Sequence, residues 1–207
     1  MPPERRRSRD PHASEGVGVV VPIRSFLFGK ARLAGSMPDS ERVELARHMA
    51  TAVLDATEGA RTAIVSSDDD VVVWARERHV TVLDDPGSLD GAADVGRRWA
   101  AGADLARVVL VHADLPLIRS LDPVLTPTAL PSVTIVPCHR GDGTPVLALP
   151  SSVPFRFAYG PGSFRRHCDE ARRLGLGLRV VEEPTLRFDV DVLEDLAELH
   201  MHTPRGS

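Results

Sequence analysis

The sequence predicts an α/β fold on a mixed, mostly parallel sheet flanked by helices, and three observations predict it. Short apolar runs alternate with helix-patterned segments through the first two thirds of the chain, as βαβ units do. Two later apolar runs, "SVTIVPC" and "TPVLALP", are joined by the turn "HRGDG", which suits one antiparallel excursion. The chain has 207 residues, 43% of them hydrophobic, enough for a substantial core.

The elements follow in order. "VGVVVPI" from Val17 is short and β-rich, the pattern of a strand buried on both faces. "MPDSERVELARHMATAVLDATEG" is a helix. Pro38 suits its first turn, Asp39 and Glu41 suit the positive end of its dipole, and Gly59 can end it. Val43, Ala46, Ala50, Val53 and Leu54 fall on one face. "TAIVSS" is the second strand, "DDDVVVWARERH" a helix with an acidic start, "VTVLDD" a strand and "DGAADVGRRWAAGA" a helix. "RVVLVHAD" is the next strand. After the hairpin, "FAYGPGSFRRHCDEARRLG" reads as a loop entering a helix, "LGLRVVEE" as a strand, and "LRFDVDVLEDLAELH" as a strand end entering a final helix. One domain is expected over 17–202, with a disordered basic tail over 1–16 and a short tail over 203–207.

Composition excludes several function classes. The formal net charge is −4, which argues against nucleic-acid binding by bulk electrostatics and against affinity for a membrane surface. Aromatic residues are 4%, too few for base-stacking platforms. The cysteines, Cys138 and Cys168, form no C-x-x-C pair and no disulfide scaffold, and neither has a base beside it in sequence. No run is long enough to span a bilayer, and the basic start lacks the pattern of a secretion signal, so a cytoplasmic enzyme-sized domain is expected.

Five segments can carry chemistry. Asp114 sits at the carboxyl end of an apolar strand, where ligands bind in open parallel sheets, and Pro116 stops the strand from continuing. A carboxylate there either ligates a hard cation such as Mg²⁺ or caps the following turn. In "RFDVDVLEDL", Asp189 and Asp191 alternate, so an extended backbone projects both to one side. Asp189 reads as a ligand, and Asp191 as a ligand or the cap of the last helix. "VPIRSFLFGKARLAG" gathers Arg24, Lys30 and Arg32 after the first strand, which suits either a triphosphate bridged by Mg²⁺ or a solvated basic loop. Its spacing is not that of a Walker loop. "YGPGSFRRH" leads Gly160 and Ser163 into a helix whose free amides can bind an anion, with Arg165, Arg166 and His167 able to add charge. Thr144, in "GDGTPVLAL", offers a hydroxyl or is an ordinary turn residue. His112 either orients Asp114 or is a packed, hydrogen-bonded histidine. His48 and His79 read as surface or packing residues, and Trp74 and Trp99 as core.

Taken together, "VVPIRSFLFGKARLAG", "SLDGAADVG", "HADLPLI", "GDGTPVLALP", "FAYGPGSFRRHCDEARRLG" and "LRFDVDVLEDL" resemble the CofC/FbiD guanylyltransferases of coenzyme F420 biosynthesis. The resemblance spans nearly the whole chain after the tail. It implies a Rossmann-like nucleotidyltransferase fold of the GT-A type and transfer of GMP from GTP to 2-phospho-L-lactate, phosphoenolpyruvate or 3-phospho-D-glycerate. It also implies Mg²⁺ as cofactor and leaves room for a downstream transferase of the same pathway as partner. By resemblance, Asp114 and Asp189 are the metal aspartates with Asp191 beside them. Thr144, Gly160 and Ser163 hold the acceptor, and Lys30 and Arg32 match a basic signature. Three positions depart from the family. Arg24 replaces lysine, Asp90 replaces the asparagine of an "LN-x-A" motif, and Pro145 replaces the asparagine of "GTN". Asp90 can accept from guanine's N1–H and amino group. These departures keep two alternatives in view, a different phosphorylated acceptor or a silent nucleotide-binding protein.

Overall fold

In the computed structural model the described residues are 16–30, 33–57, 59–125, 131–190 and 193–202. Arg32, Asp191 and residues 203–207 therefore lie outside the described residues, as does the expected tail apart from Gly16. Seven strands form one sheet: β1 (Val17–Pro22), β2 (Arg61–Val65), β3 (Thr81–Leu83), β4 (Arg107–Val111), β5 (Ser132–Val136), β6 (Val146–Pro150) and β7 (Gly177–Val180). Their order is β3-β2-β1-β4-β6-β5-β7. Among the described residues, β6 alone runs antiparallel to its neighbours, β4 and β5. The other pairings are parallel, so the sheet is mixed and mostly parallel, as expected.

The period of two along each strand divides the core. Val19, Val21, Val109 and Val111 pack on one face against Ala50 and Val53 of α1 (Asp39–Asp55) and Val71 and Trp74 of α2 (Asp69–Glu77). Val20, Val108 and Leu110 pack on the other against Ala92, Ala93 and Ala100 of α3 (Leu89–Gly102) and Cys168 and Ala171 of α5 (Ser163–Arg173). A one-turn helix, α4 (Asp122–Leu125), packs Val124 into the first of these clusters. A third cluster joins Leu33 and Met49 to Phe188, Val190 and Leu196, the last on α7 (Leu193–His202).

Local chemistry sets the helix ends. Asp68 accepts the Val71 amide and Ser88 accepts the Gly91 amide, so both are N-caps. Pro38 is itself the N-cap of α1 rather than a residue of its first turn. One expectation fails: Leu186 and Arg187 are not a strand end but part of a short helix, α6 (Pro184–Arg187). Pro184 at its first position, with φ already helical and no amide to lose, explains the turn.

This order places the site. The chain leaves β1 to one side through β2 and β3 and returns to the other side as β4. The carboxyl ends of β1 and β4 therefore flank the crevice where a parallel sheet reverses its winding, the usual ligand position in such sheets.

Candidate active site

A cavity of about 290 Å³ opens at that crevice. The segment after β1 lines it with Arg24 and Lys30, the end of β4 with His112 and Asp114, and the approach to α3 with Asp85 and Ser88. The loop that carries Lys30 is held from below. Ser25 Oγ accepts the Leu27 and Phe28 amides. The Arg42 guanidinium, buried on α1, donates to the Leu27 and Lys30 carbonyls.

In the cavity lining Lys30 Nζ donates to Asp114 Oδ2 at 2.7 Å and to the Val190 carbonyl. Burial raises the Asp114 carboxyl, but the Lys30 ammonium and His112 pull it down further, and the result is a pKa below the ordinary value. Its other oxygen, Oδ1, is buried without a hydrogen-bond partner. The Val190 amide donates to the Asp114 carbonyl at 3.2 Å, which brings the 188–190 segment against the end of β4. Asp189 thereby stands on the neighbouring strand of chain, and its Oδ1 meets His139 Nδ1 at 3.1 Å. The backbone at Asp189 belongs to no sheet strand.

Sequence reasoning missed the group behind Asp189. His139 of the β5–β6 turn contacts Asp189 and approaches Asp195 of α7 at 3.4 Å, and Arg140 also pairs with Asp195. The His139 ring stacks on Phe188. The only prior signal was the polar turn "HRGDG". Its partners lie about fifty residues on, beyond any local pattern.

Thr144, Gly160 and Ser163 come together on the far side of His112. Ser163 Oγ meets Thr144 Oγ1 at 3.2 Å, and both residues are buried. Thr144 Oγ1 also meets His167 Nδ1 at 3.1 Å, while His167 Nε2 accepts the Ala158 amide at 3.0 Å. Burial lowers the His167 pKa to about 4, so the ring is neutral at pH 7 and adds no charge. Gly160 and Gly162 have φ of 97° and 75°, which only glycine adopts without strain. The amides of the turn are less free than the sequence suggests. Ser163 N–H donates to the Gly160 carbonyl and Phe164 N–H to the Asp142 carbonyl. The Arg166 guanidinium folds back onto the Ala158, Tyr159 and Pro161 carbonyls and braces the loop.

Asp90 lies outside the residues that line the cavity. Its carboxylate accepts the Tyr159 amide at 2.6 Å and ties α3 to the 158–162 loop. Burial and that carboxylate push the Tyr159 phenol up, which keeps it protonated. His112 departs from the hydrogen-bonded reading: its ring packs beside Tyr159, yet Nε2 is buried without a partner. Cys168 is buried, and burial pushes its thiol up.

Solved structures give the fold. A Desulfovibrio desulfuricans protein described as a nucleotide-diphospho-sugar transferase matches with a TM-score of 0.74 at 16% identity, over 92% of this chain and 89% of that one. A 4-diphosphocytidyl-2C-methyl-D-erythritol synthase from Anaerococcus prevotii matches with a TM-score of 0.62 at 10% identity, over 93% and 98%. The fold is that of the nucleotidyltransferases.

Sequence relatives are more specific. The chain is 34% identical over 187 residues to a phosphoenolpyruvate guanylyltransferase of Roseiflexus castenholzii, covering 87% of this chain and 86% of that protein. It is 31% identical over 189 residues to a 2-phospho-L-lactate guanylyltransferase of Methanothermobacter thermautotrophicus, over 88% and 83%. It is 31% identical over 191 residues to a 3-phospho-D-glycerate guanylyltransferase of Phenylobacterium zucineum, over 87% and 88%. The chain belongs to the guanylyl transferase CofC-like family, whose pattern matches residues 17–206.

Proposed function

We propose that this enzyme transfers GMP from GTP to a small phosphorylated acid, phosphoenolpyruvate or 2-phospho-L-lactate, in coenzyme F420 biosynthesis in the cytoplasm. The observation that carries the proposal is the Lys30–Asp114 contact in the lining of the cavity, with one Asp114 oxygen buried and unpartnered. A 3-phospho-D-glycerate acceptor remains the alternative within the same chemistry. Among the described residues no helix is long and apolar enough to cross a membrane.

The donor set suits Mg²⁺. Asp114 offers a buried carboxylate oxygen, and Asp189 stands on the adjoining segment, so the donors are oxygens of the kind a hard cation takes. Among the described residues no cluster of three or more His, Cys, Asp or Glu could hold a metal alone; an ion on Asp114 and Asp189 would need phosphate and water to complete its shell. When bound, Mg²⁺ supplies neutralisation of charge on the phosphates.

The residues then divide the work. Arg24, Lys30 and Arg32 hold the triphosphate, and Lys30 can turn from Asp114 to a phosphate oxygen. The acceptor lies over Gly160, Thr144 and Ser163. Asp90 tethers the loop under it through Tyr159. An oxygen of the acceptor's phosphate attacks the α-phosphorus, the new P–O bond forms as the bond to the β-phosphate oxygen breaks, and pyrophosphate leaves. The attacking oxygen is already anionic near pH 7, so no general base is required. Catalysis is positioning and charge neutralisation.

The test is pyrophosphate release from GTP with each acceptor, for the wild type and Asp114→Asn. Release that depends on the acceptor and is lost in the variant supports the assignment. Near-normal release by the variant would sink it.

A further inference from the structure

His112 stands between the two halves of the site. Its ring lines the nucleotide cavity beside Asp114. Its amide donates to the Pro145 carbonyl at 2.9 Å, next to Thr144, and its ring centroid lies 5.3 Å from that of Tyr159, which precedes Gly160. The ring is thus held on the acceptor side by Tyr159, and the same residue lines the nucleotide cavity. In this position Nε2 of His112 is buried and has no hydrogen-bond partner among the described residues.

A buried polar nitrogen without a partner gives up its hydration for nothing, and such exceptions call for a specific cause. Packing alone does not supply one, since a phenyl ring would fill the same space beside Tyr159 without that cost. A ligand that brings an acceptor atom to Nε2 does. Neighbours narrow its chemistry. Arg24, Lys30 and Asp114 line the same cavity, and the Thr144–Ser163 pair lies on the other side. An atom at the boundary between a triphosphate and an acceptor phosphate is a phosphoryl oxygen.

On the basis of the guanylyl transfer proposed above, we infer that His112 is a further catalytic residue, whose Nε2–H donates to a non-bridging oxygen of the phosphoryl group in transfer. A phosphoryl oxygen only accepts, so the proton stays on Nε2 throughout and His112 exchanges none with substrate. The donor follows the charge that builds on that oxygen as the new P–O bond forms. Its contribution belongs to the transition state more than to nucleotide binding.

The experiment compares wild type, His112→Phe and His112→Gln in steady-state guanylyl transfer, with GTP binding measured separately by calorimetry. Phe keeps the ring and loses the donor. Gln restores an N–H at similar reach without the ring. The expected result is a fall in kcat of about 100-fold for H112F, the size seen when one oxyanion donor is removed. GTP affinity stays within about threefold, a difference worth under about 1 kcal/mol. H112Q recovers most of the loss. An H112F enzyme within about twofold of wild-type kcat would overturn the inference. So would equal losses in both variants with unfolding or lost GTP binding, which would make His112 a packing residue. A wild-type protein that transfers nothing would overturn the functional reading itself, an outcome distinct from a loss confined to the variants.

Discussion

Replacing Lys30 with methionine tests the buried pair at the centre of the site. The variant keeps an unbranched chain of similar length but removes the ammonium that donates to Asp114 and Val190. Lys30 is 6% exposed and the Asp114 side chain 22%, so water does little to replace the lost partner. Breaking one side of such a pair costs about 3 kcal/mol, the low end for fully buried pairs. For a chain of this size that is a fall in Tm of about 6–12 °C.

The pH dependence has a definite sign. In the intact protein burial raises the Asp114 pKa, and Lys30 and His112 lower it to a net value below normal, so its stabilisation is present above the unfolded pKa of about 3.9 and is lost as pH falls through the folded value. Without Lys30 the effect of burial dominates and the folded pKa rises. The variant is then penalised progressively as pH climbs above about 4. Thermal melts at pH 4.5 and 7.5, in chelator, should show a larger gap from wild type at pH 7.5. A gap under about 2 °C at pH 7.5, or the same gap at both, would refute the reasoning, since even 1 kcal/mol should shift Tm by that much.

Other predictions follow from separate parts of the molecule. The folded pKa of His167 lies near 4 because of burial, below its ordinary 6.5, so stability should fall as pH drops from about 6.5 to about 4, by up to about 3 kcal/mol. Urea titrations of wild type and His167→Leu should show this slope in the wild type and its loss in the variant. A Cβ at Gly96 of α3 would run into Val20 Cγ1 and stand 2.8 Å from Val20 Cγ2. Gly96→Ala should therefore destabilise by about 1–3 kcal/mol, read from urea melts. Arg42→Met releases the Leu27 and Lys30 carbonyls from the guanidinium. It should raise the KM for GTP about tenfold, the equivalent of about 1.4 kcal/mol, with a smaller effect on the acceptor.

Much of the fold was legible because its signals are local. The unbroken apolar runs "GVVV" and "VVLV" mark strands buried on both faces, and the acidic run from Asp68 marks the start of α2. Glycine and the short turn after Cys138 mark the hairpin that reverses β6, where the Cys138 amide donates to the Gly143 carbonyl. α6 was missed because "LRFDV" alternates like a strand, while Pro184 starts a helical turn just before it.

The candidate site was legible as a set of residue types at loop positions, and less so as a set of contacts. Lys30 meets Asp114 across 84 residues, and Asp90 meets Tyr159 across 69. Such pairings depend on strand order, which local periodicity does not encode. Burial was hidden for the same reason. Thr144, Ser163 and His167 read as loop and helix-start residues, yet they form a closed hydrogen-bonded group under the glycine turn. Arg42 carries no local signal that sets it apart on its helix, yet it is buried and holds the basic loop.

The most direct test is mass spectrometry of the reaction product. GTP, Mg²⁺ and the enzyme are incubated with phosphoenolpyruvate, 2-phospho-L-lactate or 3-phospho-D-glycerate, with and without a transferase of the F420 pathway to capture a labile product. The account predicts the mass of one acceptor plus a guanylyl group, with pyrophosphate formed alongside it. GTP binding without a guanylylated product from any of the three would contradict it.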